Sequence, residues 1–398
     1  MNDVFARARA LFDLPEGVIY LDGNSLGAMP KAARERVRRE LDDSWGHELI
    51  RAWNTAGWID MPSRIGDAIG KLIGAAPGSV MSCDSTSINL YKALNAALRM
   101  SGDRKVILSD SGNFPTDLYI AEGIIGTLDR GHRLKVVAPE AVAEAMDETI
   151  AVLMLTQVDY RTGRLHDMEA LTARARRLGI VTIWDLAHSA GAFPVDLAGA
   201  GADFAIGCGY KYLNGGPGAP AFIYVRPDLQ NDVTPVLPGW MGHAAPFAFD
   251  LHYDPAPGMH RQRAGTPPVL SMAALEAALT VWEGIDMGAL RARSIVLSEA
   301  FIRIVESLCG ELALASPRDP DKRGSQVSFR HPQGYAVMQA LIAEGIIGDF
   351  RAPDIVRFGF TPLYLSLDEV ETAARRLAEI VNRGFWDQPQ FLARNKVT

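Results

Sequence analysis

The sequence predicts an α/β protein, with one large, mostly parallel-sheet domain and a smaller α+β domain. Three observations carry that expectation. Between about residues 80 and 230, short apolar runs alternate with segments whose apolar residues return every three or four positions, the pattern of βαβ units. Beyond Pro268 the alternation gives way to a long Ala- and Leu-rich stretch, and then to short β-like runs between amphipathic segments. Finally, Asp185 and Tyr210-Lys211 each stand just past one of the apolar runs. In open α/β sheets, side chains at the carboxyl ends of neighbouring strands converge on the ligand-binding crevice.

Strands are expected at residues 105–108, 134–137, 150–155, 180–184, 202–206 and 221–225, with helices at 117–128 and 168–178 between them. Residues 269–308 read as one or two helices, broken near Gly284. The β-like runs 326–329 and 355–360 and the amphipathic segments 335–343 and 368–382 then build the smaller lobe, which the N-terminal segment completes. The expected division is 46–275 for the large domain, and 1–45 with 276–398 for the small one. No internal repeat, low-complexity tract or flexible linker interrupts this plan.

Composition narrows the functional class. A net charge of −7 over 398 residues argues against nucleic acid or an anionic membrane as partner, since both demand a concentrated basic face. The densest basic stretch, Lys31–Arg39, contains Glu35 and reads as a solvated helix face. No run approaches the ~18 apolar residues of a membrane span, and the N-terminus lacks the pattern of a secretory signal. Three widely spaced cysteines, Cys83, Cys208 and Cys309, suit a reducing cytoplasm better than a disulfide framework.

The chemistry begins with Lys211. A lysine just past a buried strand is costly to desolvate, and a Schiff base to a carbonyl cofactor removes that cost. A rim lysine facing solvent is the ordinary alternative. Gly207, Gly209, Gly215 and Gly216 allow close backbone approach to a bulky ligand. Asp185 alone could be a cap, and His188 a core histidine. Together with Lys211 they suit pyridoxal 5′-phosphate: a carboxylate to keep the pyridine nitrogen protonated, an imidazole to orient it, and an amine to anchor the ring.

Ser85-Thr86-Ser87 open a helix-like run, where hydroxyls and free N–H groups form either a plain N-cap or a phosphate cradle. Asn113-Phe114-Pro115-Thr116-Asp117 follow a strand. Phe114 there could stack on a flat ring and Asp117 could bond a cofactor oxygen, while Pro115 opens a helix in either case. Two rival motifs fail. Residues 207–212 lack the third glycine of a dinucleotide fingerprint, and residues 66–72 have neither P-loop spacing nor a Ser/Thr after Lys71. His243, His252 and His260 do not have zinc-ligand spacing, so no metal is expected.

With these residues in view, the chain resembles the kynureninases of the bacterial type. The matching stretches include Tyr20-Leu21-Asp22-Gly23-Asn24-Ser25-Leu26-Gly27, residues 85–90, 113–119, 184–191 and 210–216, Gly239-Trp240-Met241-Gly242-His243, Gly265-Thr266-Pro267-Pro268, and residues 359–364. They span nearly the whole chain in the family's order. The resemblance implies the fold type I architecture of pyridoxal-phosphate enzymes, and a homodimer with residues shared between active sites. It implies hydrolysis of L-kynurenine to anthranilate and L-alanine in tryptophan catabolism, along a pathway that also feeds NAD biosynthesis.

Carried over residue by residue, Lys211 matches the Schiff-base lysine and Asp185 the partner of the pyridine nitrogen, with His188 beside it. Phe114 matches the ring-stacking residue, and Asp117 and Tyr210 match cofactor contacts. Thr86 and Ser87 match the phosphate cradle, with Ser87 standing where the family often has threonine. Trp240 and Thr266 match phosphate contacts from a partner subunit, and Arg357 matches the ligand of the substrate α-carboxylate. Ser25, His47 and Trp53 border the aromatic end of the substrate. Trp53 and Thr266 follow the bacterial pattern, which implies a preference for L-kynurenine over 3-hydroxykynurenine, whereas His47 aligns with a histidine of the animal type. The rivals are another fold type I enzyme, such as a cysteine desulfurase or an aminotransferase, and a catalytically silent binding module.

Overall fold

The computed structural model describes residues 4–394. Its main feature is a seven-stranded sheet in the order Val80–Ser82, Phe222–Val225, Phe204–Gly207, Val181–Asp185, Ile150–Thr156, Val106–Asp110 and Arg133–Val137. Every strand is parallel to the rest except Phe222–Val225, which is antiparallel to both neighbours. Ile150–Thr156 is buried along its whole length, which explains its unbroken apolar character. A strand covered on both faces has no polar side to present. Arg133–Val137 closes one edge with Arg133 and Lys135, charges that discourage further pairing.

The expected strands are all present within two residues of their anticipated limits. Val80–Ser82 is an additional strand, unmarked in the sequence because three residues ending in serine carry too little periodicity. The helices Pro115–Leu128 and Met168–Arg177 lie where expected, with Pro115 at the first helical position. The long Ala/Leu-rich stretch divides into Val269–Ala278, a 3₁₀ turn at Leu279–Trp282, and Met287–Leu308. Gly284, with φ +74°, supplies the break between them.

Beyond this, Ala313–Leu314, Gln326–Arg330, Ile355–Gly359 and Asp349–Arg351 form a second, antiparallel sheet. The helices Met287–Leu308 and Leu367–Asn382 pack against each other beside it. Ser366 and Glu369 close a capping box at the start of the latter helix. The N-terminal segment joins this region: Ile19–Tyr20 pairs in parallel with Ile346–Ile347, and Arg9 grips Glu369 at 2.6 and 2.7 Å. The helix Lys31–Arg39 lies at the expected place and is mostly exposed, but it packs on Val269–Ala278 and ties Arg36 to Glu276 at 3.4 Å.

Candidate active site

The carboxyl ends of the central strands meet at one edge of the large sheet. Val181–Asp185 ends on Asp185, which sits opposite Thr156 on one neighbour and Ile206 on the other. The chain leaving Phe204–Gly207 carries Tyr210 and Lys211 to the same edge. Parallel alignment therefore brings together residues that the sequence separates, as the strand-end rule requires.

Nζ of Lys211 lies 3.1 Å from Nε2 of His188. The amine also stands 5.9 Å from the centre of the Phe114 ring and 5.8 Å from that of Tyr210. Phe114 immediately precedes Pro115–Leu128, and its ring meets Tyr160 edge-on at 5.2 Å. Asp185 is buried, and its Oδ1 accepts the Ala187 N–H at 2.7 Å. Burial raises its carboxyl above the ordinary range, against the pull of Lys211 and the Ala187 N–H. Asp117 is raised well above that range, by burial first and then by Asp185. Burial, with Lys211, Arg357 and Arg351 nearby, holds His188 far below its usual value, so its imidazole is neutral. Burial, then Cys208 and Asp185, push the Tyr210 phenol up.

Two buried polar atoms here lack any hydrogen-bond partner, Oδ2 of Asp117 and Oγ of Ser189, while His188 has the Gln326 side chain beside it. Each such orphan costs ~1–3 kcal/mol, so a polar guest is the natural completion. Ser85 caps the fifteen-residue helix Thr86–Met100, its Oγ accepting the Ile88 N–H at 3.4 Å. Thr86 and Ser87 thus occupy the first two helical positions, where N–H groups have no partner within the helix.

Arg357 is buried on Ile355–Gly359, directly opposite Asp349 in the antiparallel pair. Its Nε donates to Asp349 Oδ1 at 2.7 Å, and its terminal nitrogens donate to Asp349 Oδ2, the Tyr160 carbonyl and Ser25 Oγ, the last at 2.8 Å. Burial works against its charge, but Asp349 more than offsets this and keeps the guanidinium charged. Ser25 in turn donates to Asp349 Oδ2 at 2.6 Å and accepts from Arg351 at 3.2 Å.

The structure thus gathers Lys211, Tyr210, His188, Asp185, Asp117 and Phe114 into one cluster, and Arg357 with Ser25 into an adjoining one. It does not bring every expected residue there within a single chain. His47 bonds the Asp42 carbonyl at 2.6 Å in a wide helical segment, Glu40–Glu48. Trp53 meets Trp58 edge-on at 6.0 Å. Trp240 stacks with Phe249 at 6.5 Å, and Thr266 is exposed. None of these four has a hydrogen bond or ring contact with the Lys211 cluster among the described residues.

Two of the glycines around Lys211 have a packing role within the chain. A Cβ at Gly209 would crowd the Pro220 carbonyl, and one at Gly215 the Gly209 carbonyl. Gly209 and Gly215 thus let the loop pack on itself, while Gly216, with φ +83°, has nothing within 4 Å of where a Cβ would stand. Gly66, part of the failed P-loop pattern, likewise permits close contact of helix Met61–Leu72 with the Val80 carbonyl. The site also contains residues that sequence reasoning missed: Asp22, Asp349, Arg351 and Tyr160. The available signal was Asp349-Phe350-Arg351, whose outer residues share one face of a strand. No cluster of His, Cys, Asp and Glu among the described residues has the geometry to hold a metal.

Comparison with known proteins supplies an independent view. Residues 290–377 match the family described as the kynureninase C-terminal domain. Over its full length the chain is 53% identical to a kynureninase of Pseudomonas fluorescens, spanning 97% of that protein. It is 50% identical to a kynureninase of Burkholderia pseudomallei strain 1106a, with the same coverage. Among solved structures, a cysteine desulfurase from Thermococcus onnurineus superimposes with a TM-score of 0.80 at 22% identity, over 95% of this chain and 98% of its own. A C-DES variant with glycine linked to its PLP cofactor gives 0.80 at 19% identity, over 93% and 99%. At such identities these structures establish the fold alone, and it is the fold type I α/β architecture.

Proposed function

The chain belongs to the kynureninase family, and from that premise we infer that it is a pyridoxal 5′-phosphate enzyme. It hydrolyses L-kynurenine at the Cβ–Cγ bond, releasing anthranilate and L-alanine. The observation that carries this reading is the placement of Lys211 beside neutral His188 and the Phe114 ring, next to two buried carboxyl groups.

The residues present fit the cofactor. Orphaned atoms of Asp117 and Ser189 offer partners to the polar edge of a pyridine ring. Phe114 would lie on the ring face, and Asp185 would face the ring nitrogen with its second oxygen. Thr86 and Ser87 would hold the phosphate at the start of a long helix. Bound there, the cofactor supplies an electron sink for the bonds around the substrate Cα.

The chain's own residues do the rest. Lys211, held close to neutral His188, takes the proton from the substrate Cα. Arg357, bonded to Ser25, fixes the α-carboxylate, and the bacterial pattern at Trp53 and Thr266 favours L-kynurenine over its 3-hydroxy derivative. Tyr210, whose phenol stays protonated, is the proton donor on the phosphate side. Water added to the γ-carbonyl completes the cleavage.

Trp240 and Thr266 reach the phosphate of a second copy in this reading, so the working unit is a homodimer. Support comes from the apolar exposure around Trp240: Phe247, Phe249 and Leu251 are 62%, 72% and 97% exposed. No helix among the described residues is long and apolar enough to cross a membrane. A cytoplasmic location suits the three unpaired, buried cysteines. Their burial also disfavours the desulfurase rival, which needs a thiol on a mobile loop. The direct test is to mix the protein, pyridoxal phosphate and L-kynurenine and follow anthranilate fluorescence. Steady release supports the reading, and silence from a cofactor-loaded protein refutes it.

A further inference from the structure

Arg357 has little left to offer an incoming carboxylate. Of its five N–H groups, two serve Asp349, one the Tyr160 carbonyl and one Ser25. A bidentate grip, the usual mode for guanidinium and carboxylate, is therefore not open to Arg357 alone. Arg351 is differently placed. It lies two residues from Asp349 on the same strand face and contacts Asp349 Oδ2 at 2.6 Å. Its only other side-chain bond among the described residues runs from the same terminal nitrogen to Ser25, at 3.2 Å. Nε and the other terminal nitrogen have no partner among those residues, and the side chain is 35% exposed.

Charge points the same way. Two guanidiniums meet Asp349, which burial alone would raise but which Arg357, Arg351 and Ser25 together hold below the ordinary range. The second carboxyl, Asp22, is pushed up to about 7 by burial and then by Asp349. The cluster is therefore short of negative charge near neutrality. Both arginines also act electrostatically on His188, whose Nε2 lies 3.1 Å from Lys211 Nζ.

We propose that Arg351 is a substrate-binding residue, sharing the α-carboxylate of the amino acid with Arg357, while Asp349 and Ser25 hold the two guanidiniums side by side. This rests on the amino-acid hydrolase reading above, but it can fail separately. Arg351→Gln keeps the Asp349–Arg357 pair, and Arg351→Lys keeps the charge.

The test titrates holoenzyme with L-alanine through the change in cofactor absorbance, with ethylamine as the probe lacking a carboxylate. KM for L-kynurenine is measured in parallel. Arg351→Gln should weaken L-alanine binding and raise KM by about 10- to 100-fold, from the loss of a charged hydrogen bond. Ethylamine binding and kcat should move less than about threefold, a margin set by the scatter of surface changes, and Arg351→Lys should recover part of the loss. Unchanged L-alanine binding, or equal weakening of both probes, overturns the proposal. Absent kynurenine cleavage by the wild-type protein sinks the functional reading instead, and the L-alanine titration still decides on Arg351. Thermal melting separates misfolding of Arg351→Gln from a binding loss, and if that variant misfolds, Arg351→Lys decides between the outcomes.

Discussion

Nζ of Lys211 and Nε2 of His188 stand 3.1 Å apart, and the imidazole is held neutral. A neutral ring accepts a hydrogen bond from the amine at Nε2 without placing a second positive charge beside it. The pair thus keeps Lys211 aimed at one place in the pocket. Lys211→Ala should abolish anthranilate release, a loss of at least about a thousandfold given what general acid–base and covalent roles contribute. Circular dichroism should show an intact fold. Substantial residual turnover would remove Lys211 from the centre of the chemistry.

Asp185 is buried at a strand end, one oxygen engaged by the Ala187 N–H. Asp185→Asn preserves shape but loses the negative charge that a protonated ring nitrogen needs. Turnover should fall by about a hundredfold or more, as for other groups that stabilise developing charge. Cofactor affinity, read by absorbance titration, should fall with it. A variant with normal turnover would contradict the pyridinium role.

Arg357 and Asp349 face one another across two strands, each almost fully buried. Arg357→Ala leaves Asp349 with Arg351 as its remaining cation. Breaking a buried pair from one side costs ~3–5 kcal/mol, and the more exposed Arg351 recovers only part of that. Denaturant unfolding should register a loss of at least about 2 kcal/mol, just under that range after this discount. A shift below about 0.5 kcal/mol, the scale of a neutral surface change, would mean that the pair contributes little to stability.

Asp22 carries the pH prediction. Its carboxyl rises from 3.8 to about 7 in the folded chain, with burial the leading cause and Asp349 second. A raised pKa means that the folded state holds the proton more tightly than the unfolded state. This contribution to stability is fully present below about pH 4 and is lost progressively as pH rises to 7. Asp22→Asn should flatten the decline across that window and be the more stable protein at pH 8. Parallel stability–pH curves for the two proteins would show that Asp22 does not titrate there.

Much of the large domain is legible in the sequence because a fully buried parallel strand must be apolar throughout. Ile150–Thr156 and Val181–Asp185 declare themselves in this way. The strand ends then point to Asp185 and Lys211, and the helix-opening signals to Thr86 and Pro115. Val80–Ser82 is not legible, because so short a run carries no period. The packing role of Gly209 and Gly215 is not legible either, because sequence alone does not show which backbone lies against them.

By itself, then, the sequence determined the alternation of strand and helix, and the identity of the residues at the strand ends. Both follow from local burial and from the chemistry of single side chains. Only the tertiary structure decided that Ser25 meets Asp349 and Arg357 across more than 300 positions, and that Arg351 shares their aspartate. Such contacts depend on the register of paired strands and the docking of an N-terminal segment, and neither leaves a periodic trace in the chain. His47, Trp53, Trp240 and Thr266 have no hydrogen bond or ring contact with the Lys211 cluster among the described residues, a separation that their positions in the sequence do not reveal.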